Sequence, residues 1–248
     1  MIDEQLLQQD TTDPEIEAMA MAGVHLGHRA SKLHPRMKGF VVGLKNTTHV
    51  INLEETAKRL KKALDFISQS LKEGKTMLLV GTKPPLRNLI REMAKEANLP
   101  FVAERWLGGA FTNFPVIRSR VNYFSDLLKK KESGELEKYT KKEIANFEKE
   151  LADLKIKFEG LVNMDKLPEI VFICDIIQDE LAVKEAKAKG IKTIGIVDSN
   201  ADPMAVDFPI PANDDAITAV RYILEKVRDV VQNKNDAKRH PEAVGVSS

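Results

Sequence analysis

A run of cationic side chains near the N-terminus is the part of the sequence best suited to bind a polyanion. Residues 18–53 contain no Asp or Glu, whereas the whole chain has a net charge of only +1. The cations and imidazoles in this run are His25, His28, Arg29, Lys32, His34, Arg36, Lys38, Lys45 and His49. Lys and Arg bind phosphate oxygens, and imidazoles donate hydrogen bonds or stack on bases. The pattern therefore favours a phosphate-contacting surface, although a solvated loop of like charges has the same composition.

Carboxylates in the C-terminal third provide a second set of candidate ligands. Asp198 and Asp214 lie at a predicted strand end and a predicted helix start, and with His49 they offer donors that could hold a hard divalent cation. Helix capping is the alternative, because Asp214 and Asp215 precede the apolar sequence AITAVRYIL. Apart from this candidate structural cation, the sequence predicts no cofactor.

Motifs for nucleotide binding or covalent catalysis are missing from the sequence. Segment 80–85 follows a strand and precedes a helix, but it lacks the Gly-Lys-Ser/Thr ending of a phosphate loop and contains two prolines. No Gly-x-Gly-x-x-Gly follows a strand, and Cys174 lies in an apolar strand pattern typical of a buried, inert thiol. We therefore predict no catalytic residue and no enzyme activity. The alternative is an α/β enzyme or sensor that binds a phosphorylated small molecule at the C-terminal ends of the strands.

The composition is typical of a soluble globular protein. At 248 residues the chain has no apolar run of the ~18 residues that a membrane span needs, and its first residues resemble neither a signal peptide nor a transit peptide. The single cysteine excludes an intrachain disulfide. These features favour a protein of the reducing cytoplasm that needs neither a membrane nor homo-oligomers.

Apolar strand patterns alternate with helix patterns along most of the chain. Two strands at 38–45 and 48–53 are predicted to form a hairpin across Asn46 and Thr47. The other predicted strands are 76–80, 101–103, 169–175 and 192–198, and the predicted helices of this pattern are 53–74, 85–97, 179–189 and 214–231. This alternation predicts a doubly wound, flavodoxin-like α/β fold with a parallel sheet covered on both faces.

A different periodicity interrupts the α/β pattern. Apolar residues recur at spacings of three and four at 117, 121, 124 and 128, and again at 144, 147, 151, 154, 158 and 161. Thr140 and Glu143 have the spacing of a capping box, which predicts the start of the second helix. We therefore predict an inserted antiparallel coiled-coil hairpin at 116–161 within an α/β domain of 15–115 and 162–232. Residues 1–14 form an acidic N-terminal extension, and residues 233–248 are predicted to be a disordered tail.

Six ordered motifs carry a resemblance to a known family. They are GVHLGH at 23–28, HPRMKGF at 34–40, HVINLEET at 49–56, VGTK at 80–83, RWLGGAFTNF at 105–114, and VDSNADP with IPANDDA nearer the C-terminus. From about residue 15 to residue 231 the sequence resembles the bacterial form of small-subunit ribosomal protein S-two. The resemblance implies a structural constituent of the small ribosomal subunit that acts in translation. It also implies binding to ribosomal RNA and to neighbouring ribosomal proteins, including the mRNA-recruiting protein S-one.

Further cations complete the predicted sites. Arg105 and Trp106 precede two glycines, and we expect the arginine to contact RNA and the tryptophan to pack in the core. Arg118 and Arg120, near the start of the hairpin, are also predicted RNA contacts. The lysines expected to contact protein partners along the hairpin are Lys129, Lys130, Lys131, Lys138, Lys141 and Lys142. A coiled-coil scaffold that binds no RNA is the second alternative.

Overall fold

The computed structural model describes residues 13–239 and confirms the alternation of strands and helices. The helices are α1 (Pro14–Met21), α2 (Leu53–Lys72), α3 (Arg87–Ala97), α4 (Phe114–Glu132), α5 (Lys141–Phe158), α6 (Glu180–Lys189) and α7 (Ile217–Arg239). The strands are β1 (Leu26–Arg29), β2 (Val41–Lys45), β3 (Thr48–Ile51), β4 (Met77–Val80), β5 (Phe101–Val102), β6 (Ile170–Ile173), β7 (Lys192–Val197) and β8 (Phe208–Pro211). Within residues 13–239, no helix is both long enough and apolar enough to cross a membrane.

A parallel sheet of five strands in the order β5-β4-β6-β7-β8 confirms the predicted fold class. Numbered along the chain, this order is 2-1-3-4-5, the flavodoxin-like arrangement. The sequence does not predict β8, because Pro209 and Pro211 have no N–H to donate and argue against a strand. Within residues 13–239, β8 lies at the edge of the sheet and pairs only with β7, with Ile194 opposite Phe208, so the missing donors are tolerated.

The chain divides into two compact units. Among the described residues, the first unit comprises 13–74, 174–177 and 194–239, and the second comprises 75–173 and 178–193. The first unit carries a small antiparallel sheet in the order β1-β3-β2. The predicted hairpin is confirmed, because Asn46 and Thr47 have φ angles of 48° and 66°, as a two-residue type I′ turn requires. The sequence does not predict β1, which is short and contains Gly27 but no β-branched residue.

Helix α2 is the centre of the first unit and begins where the sequence predicts. The Asn52 side chain accepts hydrogen bonds from the N–H groups of Glu54 and Glu55, at 2.9 and 3.4 Å, so it caps the helix. Helix α2 contacts α1, α7 and β8. The Thr56 hydroxyl donates to the carbonyl oxygen of Pro211 at 2.6 Å and fixes the helix to this strand.

Strand β4 is the centre of the second unit. It pairs in parallel with β5 and with β6, so that Leu79 lies opposite both Phe101 and Phe172. Every residue of β4 and β6 is buried. Strands covered on both faces must be apolar throughout, which is why the sequence predicts them correctly.

Helices α4 and α5 occupy the segment predicted as a helical hairpin. The capping box at Thr140 and Glu143 is confirmed, since both of its reciprocal hydrogen bonds are present. The helices contact each other, and the Tyr123 hydroxyl donates to a carboxylate oxygen of Glu150 at 3.1 Å. None of the apolar residues that define the predicted seam is exposed. The pairing of two helices is therefore observed, whereas their supercoiling stays a prediction.

Helix α7 continues to Arg239, beyond residue 233 where the disordered tail is predicted to begin. Residues 233–239 are polar and lack apolar periodicity, but they contain no Gly or Pro. A helix that is already nucleated extends through such residues, since each added residue gains one backbone hydrogen bond. The remainder of the predicted tail and residues 1–12 of the acidic extension lie outside the described residues, and α1 begins at Pro14.

Gly160, just after α5, allows a close approach between two backbone segments of the second unit. A Cβ atom at this position would lie 2.1 Å from the carbonyl oxygen of Phe101 and 2.8 Å from its ring. Phe101 belongs to β5, so the end of the helical hairpin is pressed against the sheet. The backbone carbonyl cannot move aside without distorting the strand, so only glycine fits here.

We expect Gly160→Ala to lower the free energy of unfolding by about 1–3 kcal/mol, because the added methyl overlaps backbone. Urea denaturation followed by circular dichroism measures the change. Gly39→Ala is the matched control, since nothing lies within 4 Å of the position that its methyl group would take and its φ is ordinary. Equal stability of the two variants would contradict the close approach.

Candidate nucleic-acid interface

Four cations of the predicted patch lie on the first unit, and we call Arg29, Lys32, Arg36 and Lys38 the basic surface. All four side chains are exposed. Arg29 ends β1, and the others lie on two short 3-10 turns at 30–32 and 35–40. Arg29, Lys32 and Lys38 form no ion pair with any residue in the described range 13–239. Among residues 13–239, therefore, no carboxylate neutralises these three exposed charges.

Local contacts fix the backbone that carries the basic surface. Pro35 begins the second turn, and Nδ1 of His34 accepts a hydrogen bond from the Arg36 N–H at 3.3 Å. The His34 N–H donates to the carbonyl oxygen of Ser199 at 2.8 Å, and the Met37 side chain is fully buried. The cations therefore project from an ordered turn, which reduces the entropy that a binding partner must remove.

Arg36 is the one member of the basic surface with an ion pair among the described residues. Its Nη1 lies 2.7 Å from Oδ2 of Asp202, but the arginine side chain is 60% exposed. Ion pairs in contact with solvent contribute only about 0–1 kcal/mol. A phosphate group can therefore replace Asp202 as the partner of Arg36 at little cost.

The histidines of the predicted patch have different surroundings. Nδ1 of His28 lies 3.1 Å from Oδ2 of Asp198, and Nε2 lies 3.5 Å from Oδ2 of Asp215. The hydrogen bond with Asp198 raises the pKa of His28, burial opposes the shift, and the charges of Asp198, Asp214 and Asp215 add to it. Burial lowers the pKa of His25, and the charge of Lys45 lowers it further. His28 thus lies among carboxylates, while RNA contacts by the histidines stay predictions.

One nitrogen of His28 and oxygens of Asp198 and Asp214 come within 4.8 Å of one another. This group contains two of the three predicted cation ligands. The third, His49, lies on β3, where its Nε2 is 3.3 Å from the carbonyl oxygen of Ala30. The structure therefore brings His28, rather than His49, to the two aspartates. No local sequence signal distinguishes His28 from His49 as the partner of these aspartates, because the contact arises from packing between distant segments.

The motif at 23–28 needs a glycine at position 27, its second glycine, because Gly27 packs closely against Ser199 and Asp198. A Cβ atom on Gly27 would lie 2.8 Å from Oγ of Ser199 and 3.2 Å from Oδ1 of Asp198. The N–H of His28 donates to Oγ of Ser199 at 2.8 Å. The motifs at 23–28 and 197–203 are therefore parts of one packed site, although they are far apart in the sequence.

A buried carboxylate organises the loop that contains Arg105 in the second unit. Glu185 of α6 accepts hydrogen bonds from the N–H groups of Gly109, Phe111 and Thr112 at 2.7–3.1 Å, and from the Trp106 indole at 3.3 Å. Trp106 is buried and packs edge-on against Phe111, so the expectation that it belongs to the core is correct. Arg105 remains exposed on the same loop.

The same hydrogen bonds keep Glu185 ionised. Burial alone would raise its pKa, but the N–H groups of Gly109, Thr112 and Phe111 and the indole of Trp106 together lower the pKa below its ordinary value. The sequence does not predict this role, because a glutamate within a helix is usually solvent-exposed. The signal that could have revealed it is the loop itself, which exposes several N–H groups that need an acceptor.

The remaining predicted cations lie along α4, α5 and their connection. Arg118 donates to the carbonyl oxygens of Val162 and Met164 at 3.1 and 3.2 Å and also contacts Asp165, so much of its guanidinium is occupied. Arg120 is exposed. The six predicted partner-contacting lysines, Lys129, Lys130, Lys131, Lys138, Lys141 and Lys142, are also exposed. Lys131 lies 3.4 Å from Glu148, which partly neutralises it.

In the loop after β4, the position at which a phosphate loop would bind its ligand is occupied by the carboxylate of Asp179. The N–H and hydroxyl of Thr82 donate to the carboxylate of Asp179 at 3.2 and 2.7 Å, and both residues are buried. These donors are thus already used within the second unit. The observation agrees with the absence of a phosphate-loop motif from the sequence.

A five-stranded parallel sheet with flanking helices and the strand order 2-1-3-4-5 defines the general class, a flavodoxin-like α/β protein. Comparison with known proteins gives the particular family: the family model described as Ribosomal protein S2 matches residues 19–234. The chain belongs to the ribosomal protein S2 family.

Three relatives illustrate the similarity, and each is described as a small ribosomal subunit protein uS2. The protein from Coprothermobacter proteolyticus is 39% identical over 224 residues, which cover 90% of this chain and 84% of the relative. The protein from Dictyoglomus thermophilum is 41% identical over 217 residues, or 88% of each chain. The protein from Dehalococcoides mccartyi is 37% identical over 224 residues, covering 90% of this chain and 91% of the relative.

We expect Glu185→Gln to lower the free energy of unfolding by roughly 2–3 kcal/mol at neutral pH, because the N–H groups lose their anionic acceptor. The folded-state pKa is lowered, so the stabilisation is present above the unfolded pKa of about 4.3 and is lost as the pH falls through the folded value. Urea denaturation at pH 7 and pH 4 measures both effects.

The control for this prediction is Glu180→Gln on the same helix, where the carboxylate is 64% exposed and pairs only with Lys184 among the described residues. Its effect should stay below about 0.5 kcal/mol at both pH values. If Glu185→Gln behaved like the control, the carboxylate would not organise the loop.

Proposed function

We propose that this chain is a structural constituent of the small ribosomal subunit and binds ribosomal RNA through the basic surface. The observation that carries the proposal is the ordered segment, formed by the end of β1 and two 3-10 turns, that exposes Arg29, Lys32 and Lys38 without neutralising carboxylates in the described residues. The family, and the description of its relatives as small-subunit proteins, support the same conclusion. The protein then acts in translation, in the cytoplasm and on the ribosome, without catalysing a reaction.

The contacts are expected to recognise shape rather than base sequence. Folded ribosomal RNA presents closely spaced phosphates, and a fixed row of cations matches them without reading base edges. Binding releases counterions from the RNA, so the affinity falls as salt is added. Arg36 joins these contacts when a phosphate replaces Asp202 as its partner. Arg105 and Arg120, both exposed on the second unit, are proposed as additional phosphate contacts.

The combined substitutions Arg29→Glu, Lys32→Glu and Lys38→Glu should weaken binding to purified small-subunit ribosomal RNA by at least about 100-fold at moderate salt. Loss of three phosphate contacts should also make the slope of log affinity against log salt shallower by about 2–3. Filter binding over a salt series measures both quantities, and co-sedimentation with small subunits tests incorporation.

The matched control replaces three exposed lysines of α2, Lys61→Glu, Lys62→Glu and Lys72→Glu, and changes the net charge equally. This control should keep most of the affinity and salt slope. If both triple variants lost affinity equally, the effect would come from net charge, and the basic surface would not be the RNA site.

Helices α4 and α5 are proposed to contact neighbouring ribosomal proteins. Tyr123 on α4, Tyr139 in the connection and Ile156 on α5 are 41%, 40% and 55% exposed and lie among lysines. Exposed aromatic and aliphatic groups among charges are typical of protein interfaces. The docking of ribosomal protein S-one, implied by the family resemblance, is part of this proposal and has no separate observation in its support.

A structural divalent cation at His28, Asp198 and Asp214 is a further part of the proposal. One imidazole and two carboxylates suit Zn²⁺ or Mn²⁺ better than Ca²⁺, which takes more oxygen ligands. The cation would hold the motif at 23–28 against the motif at 197–203. It would then stabilise the turn that carries the basic surface rather than supply chemistry.

Isothermal titration with Zn²⁺ and Mn²⁺ tests this cation site. Asp198→Asn should abolish binding of the cation. His49→Gln should leave the affinity unchanged, because His28, and not His49, lies beside the two aspartates. The pKa of His28 is raised, so protons should compete with the cation and the affinity should fall as the pH drops below neutrality. Unchanged binding by Asp198→Asn would contradict the assignment.

A further inference from the structure

A cavity of about 470 Å³ opens on the first unit beside the basic surface. Its lining consists of Arg36, Phe40, Arg59, Pro203, Met204 and Pro209. The volume falls within the range of sites that bind ligands in proteins. The cavity therefore offers an apolar wall and two guanidinium groups within one opening.

The two arginines keep hydrogen-bond donors for a ligand. Arg36 uses Nη1 in its pair with Asp202 and is 60% exposed. Arg59 stands over the Phe40 ring at 5.1 Å, and its Nε is 3.8 Å from Glu55, beyond hydrogen-bond distance. A guanidinium has several N–H donors, so each arginine can bind another carboxylate. The charged part of a suitable ligand is therefore anionic.

The other residues that line the cavity are apolar and favour aliphatic groups in a ligand. Pro203 and Pro209 have no N–H to donate, and Phe40 contributes its ring. Met204 is 69% exposed, which is unusual for a large apolar side chain and leaves a flexible thioether at the rim. A peptide that alternates carboxylates with leucine or isoleucine would satisfy both parts of the cavity.

We infer that the chain's own segment 1–12 binds in this cavity. Its sequence is MIDEQLLQQDTT, in which Asp3 and Glu4 are flanked by Ile2, Leu6 and Leu7. The carboxylates complement Arg36 and Arg59, and the aliphatic side chains complement the prolines and Met204. No other stretch of the sequence outside residues 13–239 combines these groups, since residues 240–248 contain one glutamate and no leucine or isoleucine.

The segment is long enough to reach the cavity. It joins the described chain at Asp13, the N-cap of α1, and α1 packs on α2. The cavity also lies on α2, through Arg59. The twenty residues of α2 span about 30 Å, whereas twelve extended residues span about 40 Å. The covalent link gives a local concentration in the millimolar range, so individually weak contacts suffice.

Binding of the segment has a consequence that rests on the proposed function. Arg36 belongs to both the cavity and the basic surface, so the segment and RNA phosphates compete for it. Away from the ribosome, the segment covers Arg36 and places its carboxylates near the remaining cations. On assembly, the many phosphates of ribosomal RNA displace it.

Disulfide trapping tests the inference in the full chain. Gln5→Cys is combined with Met204→Cys, and the control combines Gln5→Cys with Lys62→Cys, an exposed site on α2 outside the cavity. The natural Cys174 is buried and does not interfere. In a glutathione buffer, mass spectrometry measures the fraction with an intramolecular disulfide. The cavity pair should show at least a tenfold higher effective concentration than the control pair.

A charge-reversal variant and the addition of ribosomal RNA test the charge complementarity and the competition for Arg36 separately. Asp3→Lys with Glu4→Lys should reduce the cavity disulfide at least fivefold, and purified small-subunit ribosomal RNA should reduce it to the level of the control pair. Equal disulfide formation by the two pairs would overturn the inference. A cavity disulfide that ribosomal RNA leaves unchanged would overturn the competition for Arg36. A chain that fails to bind the RNA in filter assays would instead refute the proposed function, because trapping requires no RNA.

Discussion

In both units, buried carboxylates accept hydrogen bonds from the N–H groups of loops, and the structure of each unit depends on this interaction. Glu185 holds the loop around Trp106, Asp179 holds Thr82, and Asp198 accepts the Ser199 N–H at 2.5 Å. A loop packed against a sheet buries N–H groups that no helix or strand can pair. One carboxylate has enough acceptor sites to pair several of them, and the donors in return stabilise its charge. The loops can thus be irregular and still occupy one conformation.

The buried carboxylates of these loops contribute to the small net charge of the chain. The carboxylates at Asp179, Asp198 and Glu185 are buried, so they offset the cations in the formal charge balance while contributing little to the accessible surface. An exposed basic turn can therefore exist in a chain of net charge +1. The proposed electrostatic attraction to RNA would then be local, which would limit non-specific binding to other polyanions. The net charge calculated from composition therefore does not reveal a local basic surface of this kind.

The sequence predicts best those features that arise from local patterns. The strands β4 and β6, the turn at Asn46 and Thr47, and the capping box at Thr140 follow from apolar runs or short-range rules. Features that depend on distant partners are not predicted. β8 contains prolines that only an edge position tolerates, and His28 reaches Asp198 through packing that no local pattern shows. The predicted end of α7 comes too early because absent apolar periodicity does not stop a helix; Gly or Pro is the stronger signal.

The prolines of β8 have a meaning beyond strand prediction. An edge strand with free N–H and C=O groups is a template on which a second chain can add, and this leads to aggregation. In the five-stranded sheet one edge is β5, which has only two residues, and the other is β8, in which Pro209 and Pro211 remove two donors. Neither edge therefore offers a complete ladder to another copy. Newly made chains are protected from pairing with each other at the sheet during the interval before they find their place in a larger assembly.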